Sequence, residues 1–448
     1  MSADKRHAPS VAVIGGGWAG CAAAVELSSA GAQVTLFEAA RRLGGRARAV
    51  QAKEALLDNG QHILLGAYQD TLALLRRVGV AEREAMLRLP LQMRYPPDSG
   101  LMDFVAPRLP APWHMLAALL RARGLGREDK LALARFNTSA RWMQWGLDTD
   151  CSVAELLERF DQTPRLVRLM WRPLCLAALN TPIERASARV FLAVLRDSLG
   201  AKRKASDMLL PRVYLDALFP QAAQRFVEER GGRVLCGARV DELASQSAGW
   251  RVGVDEDAAE FDALVLATPP WQSAALLRPL PGMEALAGQL DAFDYEPIST
   301  VYLQYDAGLR LPLPFYALLD DPLHAAWGQF VFDRGQLDPG QDGLLAVVVS
   351  AARQAAELGQ DALAEGVAAQ LAAAFGQPAL AQPRWSRVLT EKRATFACTP
   401  GLARPANATG LAGLALAGDY TASDYPATLE TAVRSGRSAA RLALGGKA

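Results

Sequence analysis

Three glycines near the start of the chain have the spacing that brings a polypeptide backbone against phosphate groups. In the stretch VIGGGWAG, Gly15 allows a tight turn, Gly17 lets the backbone approach a pyrophosphate, and Gly20 lets a helix pack closely on the preceding strand. The N-terminus of that helix, with Trp18 and Ala19, would supply free N–H groups and a partial positive charge. The pattern therefore predicts a dinucleotide-binding turn.

The residues around these glycines predict a strand, a helix and a second strand. Residues 11–14 are a continuous apolar run, which is typical of a parallel strand buried on both faces. The helix should end at Gly31, and residues 33–37 should form a second strand that finishes in Glu38. An acid at the end of this strand can hydrogen-bond an adenosine ribose. The whole unit supports the dinucleotide interpretation.

A second glycine pair follows in the stretch ARRLGGRARAV, which contains Arg41, Gly44, Gly45 and Arg46. NAD dehydrogenases do not usually need this additional phosphate-approach point, so it favours FAD. The pattern of Glu38, Gly44, Gly45 and Arg46 resembles the signature of the large flavoprotein family that contains amine oxidases and phytoene desaturases. The resemblance implies a Rossmann-like domain that holds FAD.

The same resemblance implies a second half of the flavin site near the C-terminus. Residues 414–444 predict a short strand, a Gly418-Asp419 turn, a loop, and a helix opened by Pro426, since proline is tolerated at the first helical position. Asp419 resembles the family's acid near the ribityl and pyrophosphate part of FAD. The amides of residues 427–429 would face the flavin, where a helix N-terminus stabilises negative charge by about 0.3–1 kcal/mol.

A third piece lies between these ends. Residues 231–271 predict two antiparallel strands, then a buried strand that ends at Thr268 before a Pro-Pro turn. The resemblance assigns Val240 to adenine packing, although by itself Val240 is only a strand residue. The complete set of predicted cofactor-binding residues is Gly15, Gly17, Trp18, Ala19, Gly20, Glu38, Arg41, Gly44, Gly45, Arg46, Gly60, Gln61, His62, Val240, Gly418, Asp419, Ala427, Thr428 and Leu429.

We therefore expect an α/β fold with two domains, which the length of 448 residues also favours. The FAD-binding domain, Rossmann-like and discontinuous, is assigned to residues 1–75, 205–285 and 395–448. A mixed α+β substrate-binding domain is assigned to residues 76–204 and 286–394.

The stretch LLDNGQHILLGAY places Asp58, Asn59, Gln61 and His62 in a turn after a strand, where the backbone of the family crosses the flavin ring. With MWRPLCLAALNTP, FDYEPISTVYLQY and EKRATFACTP, it resembles the hydroxysqualene dehydroxylases over nearly the whole chain. The resemblance implies a hydrophobic isoprenoid substrate. Loss of the hydroxyl of hydroxysqualene would leave an allylic carbocation, and hydride from reduced flavin would then give squalene for hopanoid synthesis.

Three residues are candidates for the polar chemistry. His62 could donate to the departing hydroxyl, and Asp424 and Tyr425 precede the flavin-facing helix. His62 and Asp424 could instead have purely structural roles. His62 would then only order the flavin loop, and Asp424 would only hydrogen-bond the start of the helix.

Other activities stay open. Amine oxidases carry an aromatic ring at the position of Thr428, so an amine substrate is disfavoured. A carotenoid or phytoene-type desaturase would take hydride from a polyene instead of giving it. A non-enzymatic FAD-binding membrane scaffold would bind flavin without any redox change linked to a substrate. The reductant is expected to be an external electron donor, because no second nucleotide-binding unit is evident.

Composition excludes several classes of function. Lys and Arg total 48 against 47 Asp and Glu, so the surplus of positive charge that a nucleic-acid-binding protein needs is missing. The five cysteines form no C-x-x-C pair, which argues against a disulfide framework or a zinc site. Cys398 is expected to be a buried thiol and the FAD to be bound non-covalently.

The sequence also bears on location. MSADKRHAPS is polar, and no apolar run reaches the ~18 to 20 residues that a spanning helix needs, so we expect a cytoplasmic protein. A predicted helix near residues 111–123 has an apolar face followed by basic residues. It is either an ordinary amphipathic helix packed on the substrate domain or a helix lying peripherally on the inner face of the cytoplasmic membrane.

Overall fold

The computed structural model describes residues 8–53, 55–97, 99–111, 113–198, 202–254 and 257–446. Residues 1–7, which form most of the polar N-terminal segment, lie outside the described residues. Within these described ranges, no helix combines the length and the apolar character needed to cross a membrane.

Short strands run through the described chain and belong to several sheets. They are β1 (Ser10–Ile14), β2 (Gln33–Glu38), β3 (Ala49–Gln51), β4 (Leu56–Asp58), β5 (Leu64–Leu65), β6 (Met86–Leu89), β7 (Gln92–Arg94), β8 (Asp103–Val105), β9 (Met208–Pro211), β10 (Arg233–Cys236), β11 (Val240–Gln246), β12 (Gly249–Val254), β13 (Asp257–Phe261), β14 (Ala263–Leu266), β15 (Tyr295–Gln304), β16 (Phe315–Ala317), β17 (Phe330–Asp333), β18 (Leu344–Val349), β19 (Trp385–Phe396) and β20 (Leu414–Leu416).

Helices follow or separate these strands along the described chain. They are α1 (Trp18–Ser29), α2 (Gln69–Arg77), α3 (Glu82–Ala85), α4 (Trp113–Arg121), α5 (Arg127–Trp142), α6 (Val153–Arg159), α7 (Pro164–Leu166), α8 (Arg172–Leu179), α9 (Ala188–Ser198), α10 (Arg203–Ser206), α11 (Leu215–Leu218), α12 (Pro220–Glu228), α13 (Pro270–Leu277), α14 (Glu284–Asp291), α15 (Arg353–Glu357), α16 (Gln360–Phe375) and α17 (Leu429–Ala443). A π-helical turn, Val167–Trp171, joins α7 to α8.

A five-stranded parallel sheet forms one half of the fold. Its strand order is β10-β2-β1-β14-β20, so pieces that are far apart in sequence lie side by side. Successive residues of a strand point to opposite faces. Val11 and Val13 accordingly join the apolar cluster around α1, while Ala12 and Ile14 join the cluster on the other face. The predicted Rossmann-like fold is confirmed, whereas the limits of the two domains stay a prediction.

Two close backbone contacts fix the helices on this sheet. A Cβ added to Gly20 would lie 1.8 Å from the carbonyl oxygen of Gly15, so only glycine lets α1 sit this close to the end of β1. A Cβ added to Gly436 of α17 would lie 2.1 Å from the carbonyl oxygen of Ala19 in α1. The first and last helices therefore pack with their backbones nearly touching.

An antiparallel sheet forms the other half, with strand order β16-β17-β18-β15-β19. One face packs under α16, where Val301 and Leu303 join an apolar cluster. The alternate residue Tyr302 points to the opposite face, together with Phe330 and Phe332. This second face lines the cavity described below.

Two local predictions were wrong. Residues 231–271 contain three antiparallel strands, β11 to β13, and the buried strand β14 ends at Leu266 rather than Thr268. The second proline of the Pro-Pro pair, Pro270, begins α13. Pro426 does not open the last helix, because Thr428 is its N-cap and accepts a hydrogen bond from the backbone N–H of Thr431.

Candidate functional site

A cavity of about 1480 Å³ runs from the glycine turn after β1 to helices α4 and α5. A site for one small ligand usually measures about 300–1,000 Å³, so this cavity has room for a cofactor and a second molecule. All predicted cofactor-binding residues except Gly20 and Arg41 line it. Gly20 acts below the cavity surface through the close contact with Gly15, and Arg41 is exposed to solvent.

The two glycine turns lie against each other at one end of the cavity. The backbone N–H of Gly44 donates to the carbonyl of Gly16 at 2.8 Å, which joins the loop after β2 to the first turn. A Cβ added to Gly17 would meet nothing closer than the Cα of Gly45, at 4.0 Å. The backbone is therefore open on this side, and the surface fits the close approach of a pyrophosphate.

Glu38 is fixed at the end of β2 by backbone donors. Its Oε2 accepts from the N–H of Gly16 and its Oε1 accepts from the N–H of Ala40, both at 2.7 Å. Val240 is buried and lines the same end of the cavity. The end thus combines a carboxylate of fixed orientation with an apolar wall, which suits a ribose and an adenine ring.

Arg46 and Asp419 connect the N-terminal and C-terminal parts of the site. Nη2 of Arg46 lies 2.6 Å from Oδ2 of Asp419, and Nη1 donates to the carbonyl of Ala394. Burial disfavours the charged guanidinium, but the adjacent carboxylate outweighs this effect and the pKa of Arg46 is raised above its usual value. Arg46 therefore stays cationic beside the phosphate-approach point.

The loop after β4 is held by side chains from the antiparallel half of the fold. Nε2 of Gln61 donates to the hydroxyl of Tyr302 at 2.8 Å, and its Oε1 accepts from Nη1 of Arg334 at 3.2 Å. The hydroxyl of Tyr302 in turn donates to the carbonyl of Asp58 at 2.7 Å. Both ends of the Gln61 amide are occupied, so the backbone from Gly60 onward has one fixed position against the cavity.

The carboxyl group of Asp58 is buried behind this loop. Its Oδ1 accepts from the N–H of Leu215 at 3.0 Å. Burial raises the pKa of Asp58 to about 6, although Arg334 and the hydrogen bond from Leu215 oppose the rise.

His62 lines the cavity as a neutral imidazole. Burial lowers its pKa, the nearby Arg46 adds to the decrease, and the carbonyl of Gly60 partly opposes it. Nδ1 lies 3.2 Å from that carbonyl, which can only accept, so Nδ1 carries the single proton of the neutral ring. Nε2 is then an acceptor, and the neutral ring does not donate through it.

The last helix begins at the cavity wall. Ala427, Thr428 and Leu429 line the cavity where α17 starts, so the free N–H groups of its first turn are close to any bound group. Glu430 is buried and its Oε2 accepts from the backbone N–H of Thr71 at 2.9 Å. It thereby caps α2 and fixes the position of α17.

The two other predicted catalytic residues occupy different surroundings. Tyr425 lines the cavity, and its hydroxyl donates to the carboxylate of Asp197, which also pairs with Arg196 at 2.7 Å. Asp424 is exposed and does not line the cavity. Asp424 is therefore not placed to act on a molecule in the cavity.

The far end of the cavity is mostly apolar. The π-helical turn before Pro173 directs Met170 and Trp171 into the lining, as is common where a π-bulge serves a functional site. Apolar side chains from helices and strands in both halves of the chain complete this end: Leu91, Met93, Phe104, Met115, Leu133, Phe136, Leu174, Ile298, Phe315, Phe330, Phe332 and Val348. Within the described part of the chain, no group of His, Cys, Asp and Glu side chains could hold a metal ion.

Several residues of the site were not predicted from the sequence. Arg334, Tyr302 and Asp197 come from distant elements and have no local motif. The sequence carries only a weak indication for Asn180. Asparagine directly after a helix often takes the left-handed conformation, and Asn180 has it, with φ 47°. Its side chain joins the backbone of Glu296 and of Ala351, at 3.1 and 2.7 Å.

The sequence matches the family described as "Flavin containing amine oxidoreductase" over residues 18–444. The chain belongs to this flavin-containing amine oxidoreductase family. As a member, it is a flavin-dependent oxidoreductase. Thr428 lines the cavity as the N-cap of α17.

Two relatives and one solved structure are similar to nearly the whole chain. A hydroxysqualene dehydroxylase of Rhodopseudomonas palustris is 31% identical, over 97% of this chain and 98% of the relative. A zeta-carotene desaturase of Synechocystis is 26% identical, over 98% of each chain. The crystal structure of an oxidoreductase from Methanosarcina mazei shares the fold, with a TM-score of 0.73 and 17% identity over 96% of this chain and 99% of that one.

Proposed function

We propose that the enzyme binds FAD without a covalent bond and removes the hydroxyl group of hydroxysqualene reductively, giving squalene. One observation carries this proposal: the part of the cavity lined by the glycine turns continues directly into a mostly apolar part, within a total volume of about 1480 Å³. The relative from Rhodopseudomonas palustris, named a hydroxysqualene dehydroxylase, supports the choice of substrate.

The shape of the cofactor end supports FAD as the flavin. Glu38 and Val240 stand at one end for an adenosine, and residues 427–429 stand at the other for an isoalloxazine ring. None of the five cysteines lines the cavity, and burial raises the pKa of Cys398 to about 12, which keeps this thiol protonated. Acid precipitation should therefore release all of the flavin into the supernatant as FAD.

The residues of the apolar end have one main task in this reaction. Bound reduced flavin would supply the hydride, and the allylic cation formed by loss of water must be kept from solvent until hydride arrives. Phe330, Phe332 and Val348 offer no nucleophile and exclude water. This apolar end of the cavity, which we call the chamber, thus favours capture of the cation by hydride over its capture by water.

His62 is proposed as the residue that orients the hydroxyl group. Its neutral ring has a free acceptor at Nε2, so it can accept a hydrogen bond from the hydroxyl of the substrate. The phenol of Tyr68 also lines the cavity, and burial raises its pKa, so it remains a protonated donor at neutral pH. Tyr425 also lines the cavity, but its hydroxyl already donates its proton to Asp197. The reductant that restores the flavin is proposed to be an external electron donor.

The proposal is tested with anaerobic enzyme whose flavin has been reduced. Addition of hydroxysqualene in detergent should reoxidise the flavin stoichiometrically and release squalene. A desaturase, which the Synechocystis relative favours, would instead have its oxidised flavin bleached by a polyene such as phytoene. Bleaching by an amine would establish an amine oxidase. No reaction with any of these compounds would favour a non-enzymatic flavin-binding scaffold.

A pair of matched variants connects the reaction to the chamber. Leu174→Trp should fill part of the apolar end, so hydroxysqualene should no longer reoxidise the flavin while a small artificial electron acceptor still does. Leu358→Trp makes the same change at an exposed position outside the cavity lining and should react like the wild type. Equal loss of reaction in both variants would contradict a role for the chamber.

A further inference from the structure

Helix α4 is only loosely covered by the rest of the protein. Of its nine residues, only His114 and Ala118 are buried. Trp113, Leu116 and Leu120 expose 61%, 46% and 66% of their surface. Such large apolar side chains grouped on one helix mark a surface that a partner covers.

Helix α5 continues this apolar surface. Nζ of Lys130, in the first turn of α5, donates to the carbonyl of Leu120 at the end of α4, at 2.9 Å, so the two helices are neighbours. Leu131 and Trp142 are exposed by 64% and 87%. They stand three helical turns apart and therefore share one face of α5. We call Trp113, Leu116, Leu120, Leu131 and Trp142 together the α4–α5 surface.

The charges around the α4–α5 surface are strongly one-sided. Two acids, Glu128 and Asp129, lie in the segment 107–142, and Asp129 is buried and accepts from the N–H of Gly126 at 2.8 Å. The seven cationic residues of the segment are Arg108, Arg121, Arg123, Arg127, Lys130, Arg135 and Arg141.

Two of these arginines line a small surface cavity of about 220 Å³ at the end of α4. Arg121 and Arg123 form one wall, and neither has an ion-pair partner among the described residues. Asp103, which also lines this cavity, already pairs with Arg94 at 2.7 Å. The two guanidinium groups are therefore available to a phosphate group.

Helix α4 lies between the α4–α5 surface and the large cavity. Trp113, Met115, Leu116 and Leu119 of α4 line that cavity, and Trp113 and Leu116 are also exposed to solvent. A molecule that covers the α4–α5 surface would consequently lie at the mouth of the apolar chamber.

We propose that the α4–α5 surface docks on an anionic phospholipid bilayer, with lipid phosphate bound between Arg121 and Arg123 and the mouth of the cavity open to the acyl chains. Exposed tryptophan and leucine beside an excess of arginine is the pattern of a helix lying in the membrane interface. The passage of an isoprenoid through this mouth rests on the proposed function, but the docking itself does not. In the cell, the surface would bind the inner face of the cytoplasmic membrane.

The test is co-sedimentation of the flavin-loaded protein with vesicles. The wild type should bind vesicles of phosphatidylcholine with phosphatidylglycerol at least tenfold more tightly than phosphatidylcholine alone, and high salt should weaken the binding. The triple variant Leu120→Ser, Leu131→Ser, Trp142→Ser changes no residue of the cavity lining and should lose at least tenfold in affinity. The matched control Leu323→Ser, Leu358→Ser, Leu444→Ser removes exposed leucines elsewhere and should bind normally.

A second variant tests the two arginines separately from the exposed apolar side chains. Arg121→Gln with Arg123→Gln should reduce the preference for phosphatidylglycerol, and an unchanged preference would show that no lipid phosphate binds between these two arginines. Wild type that does not sediment with the anionic vesicles would overturn the proposal, as would equal binding by the α4–α5 triple variant. A concentration-dependent rise in mass that only this triple variant abolishes would instead make the surface an interface between two copies of the chain, and would also overturn it.

Failure of docking and failure of the proposed reaction give different results. In detergent, the α4–α5 triple variant should reoxidise its flavin with hydroxysqualene at the wild-type rate. If neither protein reacts in detergent but the wild type binds vesicles, the reaction is wrong and the docking stands. If both react and neither sediments, the docking is wrong and the reaction stands.

Discussion

Arg334 donates from Nη1 to Oε1 of Gln61 at 3.2 Å, which fixes the loop at the cavity from a position 273 residues later in the chain. The guanidinium is 2% exposed. Its Nε donates to the side chain of Gln341 at 2.9 Å, and Nη1 also reaches the carbonyl of Pro211 at 3.3 Å. A buried cation thus orients the Gln61 amide, and through it the backbone that lines the cavity.

Replacement of Arg334 by Met should loosen this loop. The buried carbonyl of Pro211 and the partly buried side chains of Gln61 and Gln341 would lose a donor. Leaving a buried acceptor unsatisfied destabilises a fold by about 1–3 kcal/mol. We expect a lower free energy of unfolding in urea and weaker flavin retention on gel filtration. Arg310→Met removes an exposed arginine that pairs with Asp342 and should change neither measurement. Equal flavin retention in both variants would show that Arg334 does not act on the loop.

The carboxyl group of Asp58 should make stability depend on pH. Its pKa is about 6 in the folded protein and about 3.9 in an unfolded chain, so the folded state binds the proton more tightly. Ionisation of Asp58 therefore destabilises the fold. The destabilisation is absent below about pH 4, develops between about pH 4 and 6, and is complete above about pH 6. Its full size is on the order of 3 kcal/mol.

Urea denaturation between pH 4.5 and 8 checks this expectation. Asp58→Asn keeps an oxygen for the N–H of Leu215 and cannot ionise, so its stability should be flat over this range and higher than the wild type at pH 8. The control Asp424→Asn changes an exposed carboxylate and should leave the wild-type slope in place. A slope that persists in Asp58→Asn would assign the pH dependence to another group.

Glu38→Gln should weaken flavin binding. The carboxylate accepts two backbone N–H groups at 2.7 Å, and an amide keeps only one acceptor for them. A hydrogen bond to a charged group contributes about 1.5–3 kcal/mol, which corresponds to a loss of roughly tenfold to a hundredfold in affinity. Titration of the apoprotein with FAD, followed by flavin fluorescence, measures this loss. An unchanged Kd would show that Glu38 does not shape the turn.

His62→Leu should lower turnover with hydroxysqualene about threefold to tenfold, the value of one neutral hydrogen bond. Because burial lowers the pKa of His62, its ionisation should not affect the rate between pH 7 and 9 in the wild type. His62→Gln retains an acceptor and should recover part of the rate. Normal flavin content with unchanged turnover in His62→Leu would remove His62 from the mechanism.

The sequence predicted those parts of the site that are formed by neighbouring residues. Gly15, Gly17 and Glu38 belong to one continuous strand-helix-strand unit, so their spacing alone defines the turn. Interactions between distant residues have no such signal, since only folding brings Arg334 to Gln61. Similarity to known flavoproteins was needed to predict that Asp419 would join the site.

The start of the last helix illustrates a different reason for error. Pro426 was a valid helix-start signal, but Thr428 follows it and satisfies the N–H of Thr431. Pro426 and Thr428 are both helix-start signals and stand two residues apart. The helix begins at the threonine because its side chain accepts a hydrogen bond from a free backbone N–H of the first turn, which a proline cannot do.

The near-contact of Gly436 with Ala19 has a consequence for how the protein is made in the cell. The first helix leaves the ribosome long before its partner, because β20 and α17 are about 400 residues further along the chain. At the usual rate of synthesis, α1 waits roughly 20–80 s for the helix against which it packs. The cavity wall formed by α17 is therefore completed only once this helix has been synthesised, although the glycine turn opposite it is made among the first residues.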